Sequence, residues 1–143
     1  MIDVWWDGSS LECFSGEDDA AIERISARIL AASEVVTVLE HKESSCSLCV
    51  APVDGGAVLT FQSSDNMPPS YASGTEAPGE PIWVFVDGSA SEFSTSNVVP
   101  TVATLRALRT FCNHGTPSRR DCLVRNLMVH LHCCVSHQCK LVV

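Results

Sequence analysis

The chain has 143 residues, of which 45% are hydrophobic and 18% are charged. This composition is typical of one globular domain with a substantial core, and it argues against wholesale disorder. The net charge of −8 is unevenly distributed, because residues 1–100 carry 16 acidic but only 3 basic side chains. Since nucleic-acid binding requires clustered lysine and arginine, an acidic body favours a basic protein partner, or serves solubility alone.

The N-terminal third predicts a β-hairpin followed by an amphipathic helix. Residues 2–6 form a short apolar run closed by Asp7-Gly8, and residues 11–14 can provide the second arm. Residues 15–18 then supply a capping side chain and carboxylates at the point where a helix dipole favours negative charge. The helix itself is indicated by apolar residues that recur on one face, namely Ile22, Ile25, Ile29 and Ala32.

The middle of the chain predicts a strand, a second hairpin and a long loop. Residues 35–39 are strand-like, and residues 46–53 are joined to residues 57–62 across Asp54-Gly55-Gly56, which tolerates the positive φ of a tight turn. The next 19 residues are rich in Ser, Pro, Gly and acid, and loops of this length are usually functional or disordered. Tyr71 is the one aromatic residue in this loop, and it either anchors an interface or packs onto the sheet.

The clearest local pattern lies between Pro81 and Pro117. Residues 82–86 are β-branched and aromatic and end at Asp87-Gly88, so we predict a largely buried strand with Trp83 and Phe85 in the core. Pro100 and Gly115 are placed to begin and end a helix over residues 101–114. Its buried stripe is predicted from apolar spacing to contain Val102, Leu105, Leu108 and Cys112.

The C-terminal residues differ from the rest of the chain. Residues 121–125 predict one more short strand, and residues 127–143 are rich in His and Cys. A zinc site in this tail would use Cys133, Cys134, His137 and Cys139. Their spacing matches no familiar zinc module, so we favour an extra strand pair or a poorly ordered tail. Without a signal peptide, the eight cysteines of the chain are expected to be reduced thiols rather than disulfides.

No catalytic constellation is evident in the sequence. His41, Glu43, Cys46 and Cys49 superficially echo a zinc deaminase signature, but only two residues separate Glu43 from Cys46, whereas the two parts open separate helices in those enzymes. No serine elbow and no Gly-rich phosphate loop is present. We therefore expect a protein that is not an enzyme and binds no cofactor. No apolar run reaches the roughly 18 residues that span a bilayer, and we expect a cytoplasmic protein.

The stretch from Pro81 to Pro117 resembles the type-one immunity family of bacterial polymorphic toxin systems. The resemblance covers about residues 2–126, and it includes a helix before a hairpin meander and a Gly/Ser-rich link. The motifs that carry it are the apolar strand at 82–86, Glu92-Phe93, Val99-Pro100, a helix ending near Phe111, and Gly115-Thr116-Pro117. One departure is that residues 122–126 lack the tryptophan with which the family's last strand usually ends.

The resemblance implies an intracellular immunity protein that binds a secreted toxin domain, forms a heterodimer with it and blocks its active site. Toxins of this kind are often nucleases or nucleic-acid deaminases. We predict an α+β domain at residues 1–126, with an antiparallel sheet of about five or six strands and two helices packed on it, and a separate tail at 127–143. The candidate partner-binding residues are Asp54, Asp65, Tyr71, Glu76, Glu80, Asp87 and Glu92. No direct nucleic-acid or membrane contact is expected, and a zinc-binding regulator that uses the tail is the alternative.

Overall fold

The computed structural model describes residues 1–6, 8–32, 35–65, 69–72, 74–75, 77–86 and 89–116. Within these ranges the protein has two helices, α1 (Asp19–Ala31) and α2 (Thr101–His114), and nine strands. The strands are β1 (Ile2–Trp6), β2 (Ser10–Phe14), β3 (Thr37–His41), β4 (Cys46–Val53), β5 (Gly56–Gln62), β6 (Ser70–Tyr71), β7 (Pro81–Val86), β8 (Ser89–Ser94) and β9 (Val98–Pro100). The predicted α+β class is confirmed. The predicted last strand at 121–125 and the tail at 127–143 lie outside the described residues, so the division at residue 126 stays a prediction.

The main sheet is antiparallel, with the strand order β2-β1-β3-β4-β5-β6 and with β9 also paired to β5. The predicted hairpin of β4 and β5 is confirmed, and it turns through Asp54-Gly55, where Gly55 has a φ of 83°. Glycine tolerates this left-handed backbone because it has no Cβ. The predicted strand at 35–39 begins two residues later, at Thr37, and the long loop after β5 contains the short strand β6.

The two helices cover one face of this sheet. Side chains alternate between the faces along a strand, so Leu48 and Val50 in β4 are directed to the helix side together with Leu39 and Leu59. Helix α1 begins after Asp18, whose Oδ1 accepts a hydrogen bond from the Ala21 amide at 3.0 Å. Its predicted apolar face is confirmed by the buried Ile22, Ile25 and Ile29.

Helix α2 has its predicted limits but a different buried face. Its buried residues are Thr104, Ala107, Leu108, Phe111 and Cys112. The predicted stripe was therefore wrong in its first half, because Val102 is 69% exposed and Leu105 is 39% exposed. The Thr104 hydroxyl donates a hydrogen bond to the Val99 carbonyl oxygen at 3.0 Å, and this bond turns Thr104 toward the sheet in place of its apolar neighbours. A buried hydroxyl with its own acceptor can occupy a core position.

The opposite face of the sheet is partly covered by the hairpin β7-β8, which forms a two-stranded sheet of its own. Val84 of β7 packs with Ala51 and Val58 in a second apolar cluster. The prediction that Trp83 and Phe85 lie in the core is wrong, since both are exposed. A lone hairpin has one face against the body and one face toward solvent, so alternate residues of an entirely apolar strand are left outside.

The second residue of β1, Asp3, provides a test of how stability depends on pH. It is 5% exposed, and its Oδ2 lies 2.6 Å from Lys42 Nζ. Burial alone would raise the pKa of the Asp3 carboxyl, but hydrogen bonds from Lys42 and Cys13 and the charge of Lys42 hold that pKa below its ordinary value of 3.8. A carboxyl whose pKa is lowered by folding stabilises the folded state above its unfolded pKa, and the contribution is lost as the pH falls through the folded pKa.

We therefore expect Asp3→Asn to lower the free energy of unfolding near pH 7 by about 1 kcal/mol, since Lys42 is half exposed and the ion pair is partly screened. The difference from the unsubstituted protein should shrink as the pH falls below about 4. Urea denaturation at several pH values measures it, and Asp54→Asn controls for the loss of one negative charge at an exposed position. A difference that stayed constant down to pH 2.5 would contradict this assignment.

Candidate functional site

The outer face of the hairpin β7-β8 carries two exposed aromatic side chains. Trp83 and Phe85 are two residues apart in β7 and therefore point to the same side, where they are 59% and 65% exposed. The strand register places Glu92 opposite Trp83 and Ala90 opposite Phe85. Neighbouring exposed aromatic side chains on a rigid element are typical of a protein-binding surface.

Acidic side chains flank these aromatic rings. Glu92 is exposed on the same face of the hairpin, and Glu80 is exposed immediately before β7. Glu80 is held in place through its backbone, because its amide donates to Thr95 Oγ1 at 2.9 Å and its carbonyl oxygen accepts from the Thr95 amide at 2.7 Å. Neither carboxylate forms an ion pair with another residue in the part of the chain that the structure describes. Both are therefore available to an external cation.

A groove of about 710 Å³ separates this hairpin from the turn between β4 and β5. The strand β7 lines it with residues of both faces, Ile82 and Val84 as well as Trp83 and Phe85, and Val53 and Asp54 line it from the turn. Asp54 is exposed, and no lysine or arginine is among the described residues that line the groove. We call the set of Asp54, Glu80, Trp83, Phe85 and Glu92 the hairpin surface. It comprises two exposed aromatic rings and three exposed carboxylates.

Three of the predicted partner-binding residues, Asp54, Glu80 and Glu92, belong to the hairpin surface. Asp65 does not, because it follows β5 whereas Asp54 precedes it, and a strand of seven residues separates the two by roughly 20 Å. The Asp65 carboxylate accepts a hydrogen bond from Ser63 Oγ.

The remaining predicted partner-binding residues cannot be placed on or off this surface. Tyr71 pairs through its backbone with Thr60 of β5, but its side chain lies outside the described part of the structure. Glu76 and Asp87 also lie outside the described residues. Their roles therefore stay predictions.

No disulfide joins the cysteines that the structure describes, and the residues of the zinc alternative lie outside the described part of the chain. Those residues are Cys133, Cys134, His137 and Cys139. Among the described residues, no group of three or more His, Cys, Asp or Glu side chains is arranged to hold a metal ion. Burial raises the pKa of the Cys112 thiol to about 12, so this core thiol is protonated near neutral pH. The described cysteines are Cys13, Cys46, Cys49 and Cys112.

Trp83 and Phe85 are the residues of the candidate surface that the sequence prediction placed in the core. Every residue from 82 to 86 is apolar, so periodicity does not distinguish the inner from the outer face of this strand. The available signal was the partner strand. In the β7-β8 register, Trp83 pairs with the charged Glu92, whereas Ile82 pairs with the apolar Phe93. A charged cross-strand neighbour indicates the solvent face.

Comparison with known proteins identifies the family. A family model described as immunity protein Imm1 matches residues 15–125, which include both helices and the whole hairpin surface. Searches of curated proteins and of solved structures gave no significant match. No helix in the described ranges is long and apolar enough to cross a membrane. The match spans most of the chain and confirms the resemblance seen in the sequence, so this chain belongs to the Imm1 immunity protein family.

Proposed function

We propose that this chain neutralises a cognate toxin domain in the bacterial cytoplasm by occupying the toxin's active site through the hairpin surface. Family membership supports the immunity role and a toxin as the partner. The proposed toxin is a nuclease or a nucleic-acid deaminase. The chain acts as a stoichiometric inhibitor without turnover, in a heterodimer with the toxin.

The observation that carries this proposal is the composition of the hairpin surface. Enzymes that act on nucleic acids bind the phosphate backbone in positively charged channels. The hairpin surface has three exposed carboxylates and the exposed rings of Trp83 and Phe85, and Glu92 lies directly opposite Trp83. Carboxylates can replace phosphates in such a channel, and aromatic rings can occupy the space in which bases stack.

The charge of the chain supports fast recognition of a basic toxin. Residues 1–100, which include the whole hairpin surface, carry nearly all of the acidic side chains of a protein with a net charge of −8. Opposite charges on two proteins steer their encounter, and this steering weakens as salt screens the charges. The acidic surface thus favours capture of the toxin before the toxin reaches nucleic acid.

Co-expression with the cognate toxin domain tests the proposal. We expect the chain to restore growth to cells that produce the toxin and to form a one-to-one complex with the purified domain. The association rate should fall by at least tenfold between about 20 mM and 300 mM salt, while the dissociation rate changes less.

The proposal requires both the rescue and the complex. Growth arrest that persists despite soluble expression of both proteins, together with no complex by size-exclusion chromatography, would contradict it. An association rate that does not depend on salt would leave the immunity role intact but would remove the electrostatic mechanism.

A further inference from the structure

We propose that Trp83 and Glu92 together form a binding site for one arginine or lysine side chain of the toxin, with the cation seated on the indole ring and paired to the carboxylate. This inference rests on the proposed function and specifies the chemistry of its interface. The residues are directly opposite each other in the β7-β8 register, on the exposed face of the hairpin. Side chains in such a pair have Cβ atoms roughly 5 Å apart, so one cation can contact both.

The same combination of groups already binds a cation elsewhere in this chain. The Arg28 guanidinium lies 3.9 Å above the ring of Trp6, and its Nη1 lies 3.3 Å from Glu12 Oε2. Trp6 and Glu12 lie at diagonal positions on the neighbouring strands β1 and β2, and Arg28 comes from α1. Glu12 also pairs with Arg24, at 2.6 Å. Trp83 and Glu92 likewise lie on neighbouring strands, but no arginine or lysine of the described chain is paired with Glu92.

The electrostatics of the hairpin surface favour a cation over an apolar side chain as the occupant. An apolar group on Trp83 would remove water from the carboxylate of Glu92 without replacing its hydrogen bonds, and this desolvation is unfavourable. An arginine or lysine satisfies the carboxylate while its charge is attracted to the electron-rich face of the ring. Asp54 lines the same groove as Trp83 and adds to the negative potential there.

Substitutions at Trp83 separate a cation site from a purely apolar contact. Trp83→Phe keeps an aromatic ring with a weaker attraction for cations, and Trp83→Leu keeps apolar surface without a ring. We expect the dissociation constant of the toxin complex to rise about threefold in the first variant and about thirtyfold in the second. Because Trp83 is exposed, the thermal unfolding midpoint should not change. Val102→Ala, which removes exposed apolar surface from α2, is the matched control and should leave the dissociation constant unchanged.

A double-mutant cycle of Trp83→Leu and Glu92→Gln completes the test. If one cation bridges both side chains, the combined loss of affinity will be at least threefold smaller than the product of the two single losses. Equal binding by the Phe and Leu variants, or independent effects of the two substitutions, would overturn the inference while wild-type binding and rescue still supported the proposed function. Failure of the wild-type chain to bind the toxin would instead overturn the proposed function, and the inference with it.

Discussion

Replacing Asp54, Glu80 and Glu92 together by lysine is expected to slow association with the toxin domain by about 100-fold at low salt and to abolish protection of toxin-producing cells. Asp54 lines the groove, Glu92 lies on the exposed hairpin face and Glu80 precedes β7, so the substitution reverses the sign of three exposed charges around the hairpin. None of them pairs with a described cation, and the fold should therefore tolerate the change. Stopped-flow measurement of the association rate at several salt concentrations measures the effect.

The matched control makes the same change in net charge away from the hairpin surface. Glu17 lies before α1, Glu23 on α1 and Glu43 at the β3-β4 turn, and all three are exposed. Glu23 pairs with Arg109 and Glu43 with the N-terminal amine, but exposed pairs of this kind contribute little to stability. Lysine at these three positions should slow association by less than about fivefold. The small effect is expected because salt screens charges that lie farther from the contact than about 10 Å. Equal slowing in the two triple variants would show that net charge alone governs binding and would contradict a role for the hairpin surface.

Phe111→Ala is expected to lower the free energy of unfolding by about 3 to 5 kcal/mol. Phe111 is fully buried in α2, and its ring makes edge contacts with Phe61 at 6.3 Å and with His41 at 6.2 Å between centroids. Its removal leaves a cavity between the helix and the sheet that rigid neighbours cannot fill. Urea denaturation of the purified protein measures the loss.

Leu105→Ala in the same helix is the control for Phe111→Ala. Leu105 is partly exposed, and its replacement should lower the free energy of unfolding by less than about 1 kcal/mol. Equal losses in the two variants would contradict the buried face of α2 described above. Since small domains have only about 5 to 15 kcal/mol of stability, Phe111→Ala should also reduce protection in cells, but through the amount of folded protein. The lysine variants of the hairpin surface should reduce protection without loss of stability.

Much of the fold could be predicted because local signals agreed with one another. Asp54-Gly55 placed the β4-β5 turn, the isoleucines of α1 marked its buried face, and Pro100 and Gly115 bounded α2. Each of these signals depends on residues within one turn or one strand. Local chemistry therefore decides them before any distant contact forms.

Features set by distant contacts could not be predicted. The buried side of α2 depends on how the helix packs against the sheet, where the Phe111 ring contacts Phe61 and His41, and the spacing of apolar residues does not reveal this packing. The outer position of Trp83 depends on the separation of β7 and β8 from the main sheet. By contrast, the acidic character of the candidate site was evident from the sequence. The sequence did not show that Asp54 lines the same groove as the hairpin. It also did not show that Asp65 lies at the opposite end of β5 from Asp54, which follows from the direction of β5.

Amide hydrogen exchange of this chain, measured alone and in complex with the toxin domain, tests most directly whether the hairpin surface binds the toxin. In a two-stranded ribbon, many amides point away from the partner strand and exchange readily, so their protection by a bound protein is measurable. We predict slower exchange in the complex across β7 and β8 and at the Asp54-Gly55 turn, with no change in β2 at the far edge of the main sheet. A complex that slows exchange in β2 or α1 and leaves β7 and β8 unchanged would contradict the account.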